Sequence, residues 1–372
     1  MTSLPASAEA AGLPAAWLRD NCPCALCRDP VSGQRLVHIT DIPAGVAVTG
    51  SWASADRVEV VFHPDGHRAV FDRAWLAAHA AGGGAADLRT EDAKRLWSAA
   101  GLTIRLPRRR WPDYLASRDG RRAGQTAILR DGLMLLSAVP VQPGAVLDVA
   151  GSMGYVRETN YGRLFDVRVE PSPANLAYTS LPIAPHTDNP YRDPVPTVQL
   201  LHCLRNAADG GGESVFVDGF RAAARLRERD PAAFAVLAGT PVTFGYRDAA
   251  TELSATRPMI SLDPPGRIRE IRFNSRALRP VRLGRAQAAV FYAAYRAFAD
   301  LLADPAARLT VRLGPGDCAV FDNTRILHAR TGFTSSGRRR LQGCYADLDG
   351  IESAVAVAGR GDQPERARKD RK

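Results

Sequence analysis

Apolar residues recur in short alternating runs along most of this chain, and only a few stretches carry the longer period of a helix. Residues 57–71 read as a hairpin: Val58-Glu59-Val60-Val61-Phe62 forms one strand, Pro64-Asp65-Gly66 the turn, and His67 opens the return strand. A short helical pattern follows over 72–79, then the loose Gly82-Gly83-Gly84. Thr90 is placed to cap a helix carrying Ala93, Leu96 and Trp97. The run from Leu106-Pro107 through Arg108-Arg109-Arg110 to Trp111-Pro112 breaks regularity and puts a domain boundary near residues 100–112.

Beyond it, strands are predicted at 131–136, at 165–169 through the alternation of Phe165, Val167 and Val169, and at 197–204, where His202 reads as a core histidine. Further short strands fall at 214–218, 242–244, 268–273, 309–311, 318–321 and 341–345. Helices are predicted from Pro143-Gly144 through Val146, Val149 and Ala150, over 221–237 with an interruption at Pro231, and over 285–302 with Val290, Phe291, Ala294, Phe298 and Leu301 on the apolar side. Gly210-Gly211-Gly212-Glu213 lacks the Gly-Lys-Ser/Thr ending of a phosphate loop and reads as a turn. Many strands with few helices predict a mainly β chain. The expected architecture is a double-stranded β-helix (jelly roll) catalytic domain over 101–358, preceded by a small β-rich domain over 1–100. The tail over 359–372 is rich in Arg, Lys and Asp and is expected to be disordered.

Composition changes this picture little. At 372 residues and 45% hydrophobic, the chain can bury a substantial core. Its charge of +10 is spread along the sequence, with local clusters at 108–110, 338–340 and the tail. No helix-turn-helix or alternation of basic and aromatic residues accompanies it, so a solvated basic surface is expected rather than a nucleic-acid partner. With no signal-like N-terminus and no apolar run of membrane-spanning length, a cytoplasmic protein with no membrane partner is expected.

Two clusters carry candidate chemistry. Cys22, Cys24 and Cys27 can converge on one ion in a reducing compartment, and tetrahedral zinc needs one imidazole more. Among His38, His63, His67 and His79, the last residue of the set is expected to be His67, held at the start of the return strand. With four protein ligands, that zinc is structural. His186 and Asp188 lie two apart, and His328 sits far downstream. Two imidazoles and one carboxylate on one face of a metal leave the opposite face open, as non-haem Fe(II) requires. On a strand His186 and Asp188 would point the same way; taken alone, the pair also fits an ordinary hydrogen-bonded loop.

Together these pieces resemble the γ-butyrobetaine hydroxylase and trimethyllysine hydroxylase group of Fe(II)/2-oxoglutarate-dependent dioxygenases. The motifs that carry the resemblance are Trp17-Leu18-Arg19-Asp20-Asn21-Cys22 with Cys24, Cys27 and His67, then Asn175-Leu176-Ala177-Tyr178, His186-Thr187-Asp188, Gly211-Gly212, Asn274, His328 and residues 339–347. The resemblance implies that His186, Asp188 and His328 hold Fe(II), that Arg339 of the Arg-x-Leu-x-Gly-x-Tyr motif receives the distal carboxylate of 2-oxoglutarate, and that Tyr161, Phe165, Tyr178 and Tyr345 cage a trimethylammonium. The best-known members have Trp where this chain has Phe165, a weaker face for a cation. Asn175 and Asn274 match positions that meet the substrate's acidic end, and Arg276 and Arg279 just beyond are expected to face solvent. The implied reaction consumes oxygen and 2-oxoglutarate, releases succinate and carbon dioxide, and takes γ-butyrobetaine to carnitine. The alternatives are 2-(trimethylammonio)ethylphosphonate or trimethyllysine. A homodimer is implied as well. The competing non-enzymatic reading is a zinc-domain nucleic-acid-binding module.

Overall fold

The computed structural model describes residues 12–80, 87–171, 176–206, 210–334 and 339–359. The chain divides into two compact units, Met1–Ala86 and Asp87–Lys372. In the first, strands β1 (Ala47–Ala53), β2 (Arg57–His63) and β3 (Arg68–Asp72) form one antiparallel sheet in that order. The period-two pattern of β2 turns Val58, Val60 and Phe62 inward, where they pack with Leu18, Phe71 and Leu76. This small core also buries Cys22 and Cys27.

The second unit carries β4 (Arg108–Arg110), β5 (Leu133–Ser137), β6 (Phe165–Arg168), β7 (Ile183–His186), β8 (Val198–Arg205) and β9 (Ser214–Asp218). After these come β10 (Val242–Arg247), β11 (Glu252–Arg257), β12 (Ile260–Leu262), β13 (Ile268–Ile271), β14 (Arg308–Val311), β15 (Cys318–Asp322), β16 (Ile326–Arg330) and β17 (Arg340–Ala346). Six of them form one sheet in the order β4-β5-β15-β8-β17-β6, and four form another in the order β14-β9-β16-β7.

Both sheets are open. The first ends at β4 and β6, the second at β14 and β7, and neither closes on itself. The expected mainly β, double-stranded β-helix (jelly roll) is therefore corrected: the fold is mixed α/β, with an N-terminal Cys3His cluster. The pair β4–β5 is even parallel, and helices take a larger share of the packing than the sequence pattern predicts.

Among the described residues the short helices Ala15–Asp20, Ala99–Thr103 and Trp111–Ala116 went unpredicted, and so did two longer ones. Arg118–Asp131 contains Gly120 and Gly124 and several arginines, all poor signals of a packed helix. It forms because Ser117 caps its start, Gly132 ends it in the left-handed region, and Ala127, Ile128 and Leu129 bury against the six-stranded sheet. Leu348–Gly359 is the second, buried through Leu348 and Ile351. Residues 360–372, most of the expected disordered tail, lie outside the described residues.

The predicted interruption at Pro231 is present: Gly219–Arg229 and Pro231–Gly239 are separate helices, with Asp230 capping the second. Arg285–Ala303 is helical as expected, but Val290, expected on its apolar side, is left exposed. The helix expected after Thr90 shortens to one turn, Glu91–Ala93. Trp97 is instead buried, its indole N–H donating to Asp131 O at 2.8 Å and its backbone N–H to Asp218 Oδ2 at 3.0 Å. Fully buried Arg325 pairs with Asp218 at 2.7 Å and donates to the carbonyls of Arg95 and Arg130. These long-range partners claim backbone groups that a helix would have used.

Candidate active site

The register of β7 and β16 sets His186 opposite His328, with ring centroids 4.2 Å apart. Strand β7 ends at His186, so Asp188 is brought to the same side by a turn rather than by the pleat. Asn323 fixes that turn. Its carbonyl accepts the Asp188 N–H at 2.8 Å, and its amide donates to Asp188 O at 3.0 Å and to Pro196 O at 2.9 Å. As a result Asp188 Oδ1 lies 3.3 Å from His186 Nε2 and 4.0 Å from His328 Nε2, and ligand atoms of the three residues lie within 4.8 Å of one another.

A second layer of hydrogen bonds aims these atoms. His186 Nδ1 lies 3.0 Å from Ala184 O, which places the proton there and leaves the Nε2 lone pair facing inward. Asp188 Oδ2 accepts from Gln199 Nε2 at 2.8 Å and from the Tyr345 hydroxyl at 2.9 Å, so Oδ1 is the oxygen left over. Burial opposes the charge on Asp188, but His328, His186 and the bond from Tyr345 outweigh it and hold the carboxyl well below the usual carboxylate range. Burial and the neighbouring His186 push His328 down to about 3, so it presents a neutral imidazole. One carboxylate and two imidazoles converging from one side fit the facial triad of non-haem Fe(II). His202 takes no part; it is fully buried and belongs to neither metal cluster.

In the N-terminal unit, His67 Nε2 lies 3.2, 3.6 and 3.5 Å from the sulfurs of Cys22, Cys24 and Cys27. The edge of a tetrahedron with ordinary Zn–S and Zn–N bonds is about 3.5 Å, so the set fits a structural zinc. Arg19 braces it from outside, donating to Cys27 Sγ at 3.2 Å and to Asp65 Oδ2 at 3.0 Å in the turn that leads to His67.

The triad opens into a cavity whose walls include Tyr161, Phe165, Tyr178 and Tyr345, all expected there, together with Tyr191 and Tyr246. Phe165 lies 5.1 Å from Tyr345 between ring centroids; Tyr246 lies 5.7 Å from Tyr161 and 5.1 Å from Tyr191. The Phe165 ring lies directly on Gly343, where an added Cβ would collide with it. Hydroxyls link Tyr161 to Tyr191 at 2.9 Å and Tyr191 to Asn189 Oδ1 at 2.8 Å. Burial pushes the phenols of Tyr161, Tyr191 and Tyr345 upward, so all are uncharged at neutral pH. Asn274 is in the wall as expected, and Asn175 lies outside the described residues.

Three arginines also face this cavity: Arg276, Arg330 and Arg339. Arg330 is committed to structure, donating to the carbonyls of Ala177, Thr179 and Leu181 at 3.1, 2.7 and 2.8 Å and thereby tying down the segment that carries Tyr178. Among the described residues Arg339 donates only through its Nε, to Gly212 O at 3.1 Å, and its guanidinium carbon lies 5.7 Å from the centre of the Phe333 ring. Burial pushes it down to about 10, which still leaves it protonated at neutral pH. Gly212 has φ +67, and a Cβ there would lie 2.9 Å from Arg339 Cδ, so glycine allows the arginine its path.

A family model described as "Taurine catabolism dioxygenase TauD, TfdA family" matches residues 98–345, and one described as "Gamma-butyrobetaine hydroxylase-like, N-terminal" matches residues 6–77. The chain belongs to the TauD/TfdA family. Among relatives of this TauD/TfdA dioxygenase, a Gamma-butyrobetaine dioxygenase of Pseudomonas sp. (strain AK-1) is 37% identical over 92% of this chain and 90% of its own. A Gamma-butyrobetaine dioxygenase of Homo sapiens is 30% identical over the same shares, and a Trimethyllysine dioxygenase of Meyerozyma guilliermondii is 29% identical over 94% of this chain and 90% of its own. With its triad, the TauD/TfdA chain is an Fe(II)/2-oxoglutarate-dependent dioxygenase acting on a small organic substrate. Among its described residues no helix is long and apolar enough to cross a membrane.

Sequence reasoning missed Gln199, Asn323, Tyr246 and Arg330. Each acts through a partner far away in the chain, and nothing in its local pattern marks it. Asn189 went unread as well: it stands at φ +54, a region asparagine tolerates, and accepts from the Tyr191 hydroxyl at 2.8 Å.

Proposed function

We propose that this dioxygenase hydroxylates a zwitterion bearing a quaternary ammonium, with γ-butyrobetaine as substrate and carnitine as product, in the cytoplasm, where the zinc thiols stay reduced. The observation that carries the reading is the wall of aromatic rings beside the triad. A trimethylammonium has no N–H to donate, so it is recognised by ring faces rather than by hydrogen bonds. The phenols are uncharged, and Asp188 belongs to the metal, which leaves π faces as the groups that suit such a cation. The names of the bacterial and human relatives support the carboxylate zwitterion over trimethyllysine.

When iron, 2-oxoglutarate and oxygen are bound, the co-substrate is oxidatively decarboxylated to succinate and carbon dioxide and a substrate C–H becomes C–OH. His186, Asp188 and His328 hold the iron; Gln199 and Tyr345 keep Asp188 Oδ1 turned toward it. Arg339 offers its free guanidinium fork to the distal carboxylate of 2-oxoglutarate. Tyr161, Phe165 and Tyr178 orient the substrate, and Arg330 steadies the segment bearing Tyr178.

The test is succinate release with iron and 2-oxoglutarate, with and without γ-butyrobetaine, followed by mass spectrometry for one added oxygen. Coupled carnitine formation supports the reading. Coupled turnover with 2-(trimethylammonio)ethylphosphonate or trimethyllysine alone overturns the substrate.

A further inference from the structure

The cavity holds one more cation than the co-substrate uses. Both terminal nitrogens of Arg330 are engaged by three carbonyls, and Arg339 is assigned above to 2-oxoglutarate. Arg276 lines the same cavity, and its guanidinium has no hydrogen bond or ion pair among the described residues; only its backbone N–H is engaged, with Asn274 Oδ1 at 3.2 Å. Arg279, three residues on, points away: its Nε lies against Gly245, and it lines a separate surface recess with Thr243 and Arg282. The two arginines that look alike in the sequence are thus divided by the fold.

Asn274, the residue expected to meet the acidic end of a substrate, is partly occupied. Its amide donates to Thr187 O at 3.2 Å and its carbonyl accepts from Arg276 N. These bonds hold the backbone that carries Arg276, and they leave one amide N–H, uncharged, to offer a carboxylate beside the guanidinium. Around Arg276 stand Tyr161 and Tyr191, both uncharged, and Asp188, whose charge is taken up by the metal. Burial lowers the Arg276 pKa, with only those three groups favouring its charge. The Arg276 residue stays exposed overall, so its guanidinium, with no carboxylate beside it other than that of Asp188, has a free charge to offer an anionic ligand that enters the cavity.

Resting on the quaternary-ammonium reading above, we infer that Arg276 binds the anionic terminus of the substrate and makes the enzyme selective for zwitterions over simple trimethylammonium cations. The aromatic wall accepts the cationic end, and Arg276 accepts the carboxylate or phosphonate at the other. A substrate whose acid is masked keeps its cage contacts and leaves Arg276 unpaired.

The experiment compares the iron-loaded, zinc-replete wild type with Arg276→Gln and Arg276→Lys, using γ-butyrobetaine, its methyl ester and 2-(trimethylammonio)ethylphosphonate. For each, kcat and KM are read from substrate-dependent succinate formation. The wild type is expected to favour an acid over the ester by roughly 30-fold in kcat/KM, the worth of a charge-assisted pair that stays partly open to water. Arg276→Gln is expected to shrink that preference to a few-fold, mainly by raising the acid's KM, while the KM for 2-oxoglutarate stays put; Arg276→Lys is expected to retain part of it. A full preference kept in Arg276→Gln, or a 2-oxoglutarate KM that rises as much as the acid's, overturns the role of Arg276. Turnover of the phosphonate alone, with its preference lost in Arg276→Gln, overturns γ-butyrobetaine as substrate and upholds Arg276. A wild type that uses none of the three, or favours the ester, overturns the inference.

Discussion

The hydroxyl of Tyr345 donates to Oδ2 of Asp188 at 2.9 Å, so a residue expected as cage wall also holds a metal ligand. Gln199 donates to the same oxygen. Replacing Tyr345 by Phe keeps the ring and removes the bond. We expect Fe(II) affinity to fall by roughly 10-fold or more, in the range seen when a ligand's outer partner is lost. Anaerobic iron titration with 2-oxoglutarate present measures it; unchanged affinity would show that Gln199 suffices.

Among the described residues Arg339 has no carboxylate partner, and only its Nε is bonded, to Gly212 O. Arg339→Ala is expected to raise the KM for 2-oxoglutarate by roughly 100-fold, the worth of about two charge-assisted hydrogen bonds, with little effect on the KM for the amine. Equal increases in both would remove Arg339 from its role.

Gly212 is the neighbour that lets Arg339 pass. Gly212→Ala places a Cβ 2.9 Å from Arg339 Cδ at a φ of +67. We expect a stability loss of about 1–2 kcal/mol from the strained backbone and, separately, a raised KM for 2-oxoglutarate. Denaturant unfolding reads the first, steady-state kinetics the second. A stability loss without a KM change would mean the arginine repacks.

The zinc cluster should respond to acid. In the metal-free fold, burial pushes Cys22 up to about 12, so at neutral pH that sulfur carries a proton which zinc must displace. The direction follows: zinc binds more tightly as pH rises, and affinity falls by roughly tenfold per unit of acidification for each proton displaced. Competition with a chromophoric chelator between pH 6 and 8 measures the slope. One zinc per chain by elemental analysis, lost in Cys24→Ser, is the accompanying expectation; a flat pH response would mean that the sulfurs are already ionised without metal.

Ligand chemistry was legible because it resides in residue type and short spacing. Cys22, Cys24 and Cys27 announce a thiolate site by themselves, whereas His186, Asp188 and the distant His328 read as an open-faced metal site only beside the other motifs of the family. Strand β2 was legible because alternation of Val58, Val60 and Phe62 needs only a buried face. The helix Arg118–Asp131 was hidden because its stability comes from packing and two good ends rather than from propensity. The open edges of the sheets were hidden for a related reason: whether a sheet closes depends on where its last strands lie, and alternation along one strand carries no record of that.

The finer facts of the site are all settled by competition for hydrogen bonds between distant parts of the chain. Asp188 Oδ1 faces the ion because Gln199 and Tyr345 take Oδ2. Arg330 is spent because three carbonyls from 177–181 reach it, and Arg276 is free because Asn274 and its neighbours do not. The sequence alone determined which groups could bind metal, anion and cation. Folding decided which of them remained unsatisfied, because a polar group is available to a ligand only when no nearer part of the chain has already paired with it.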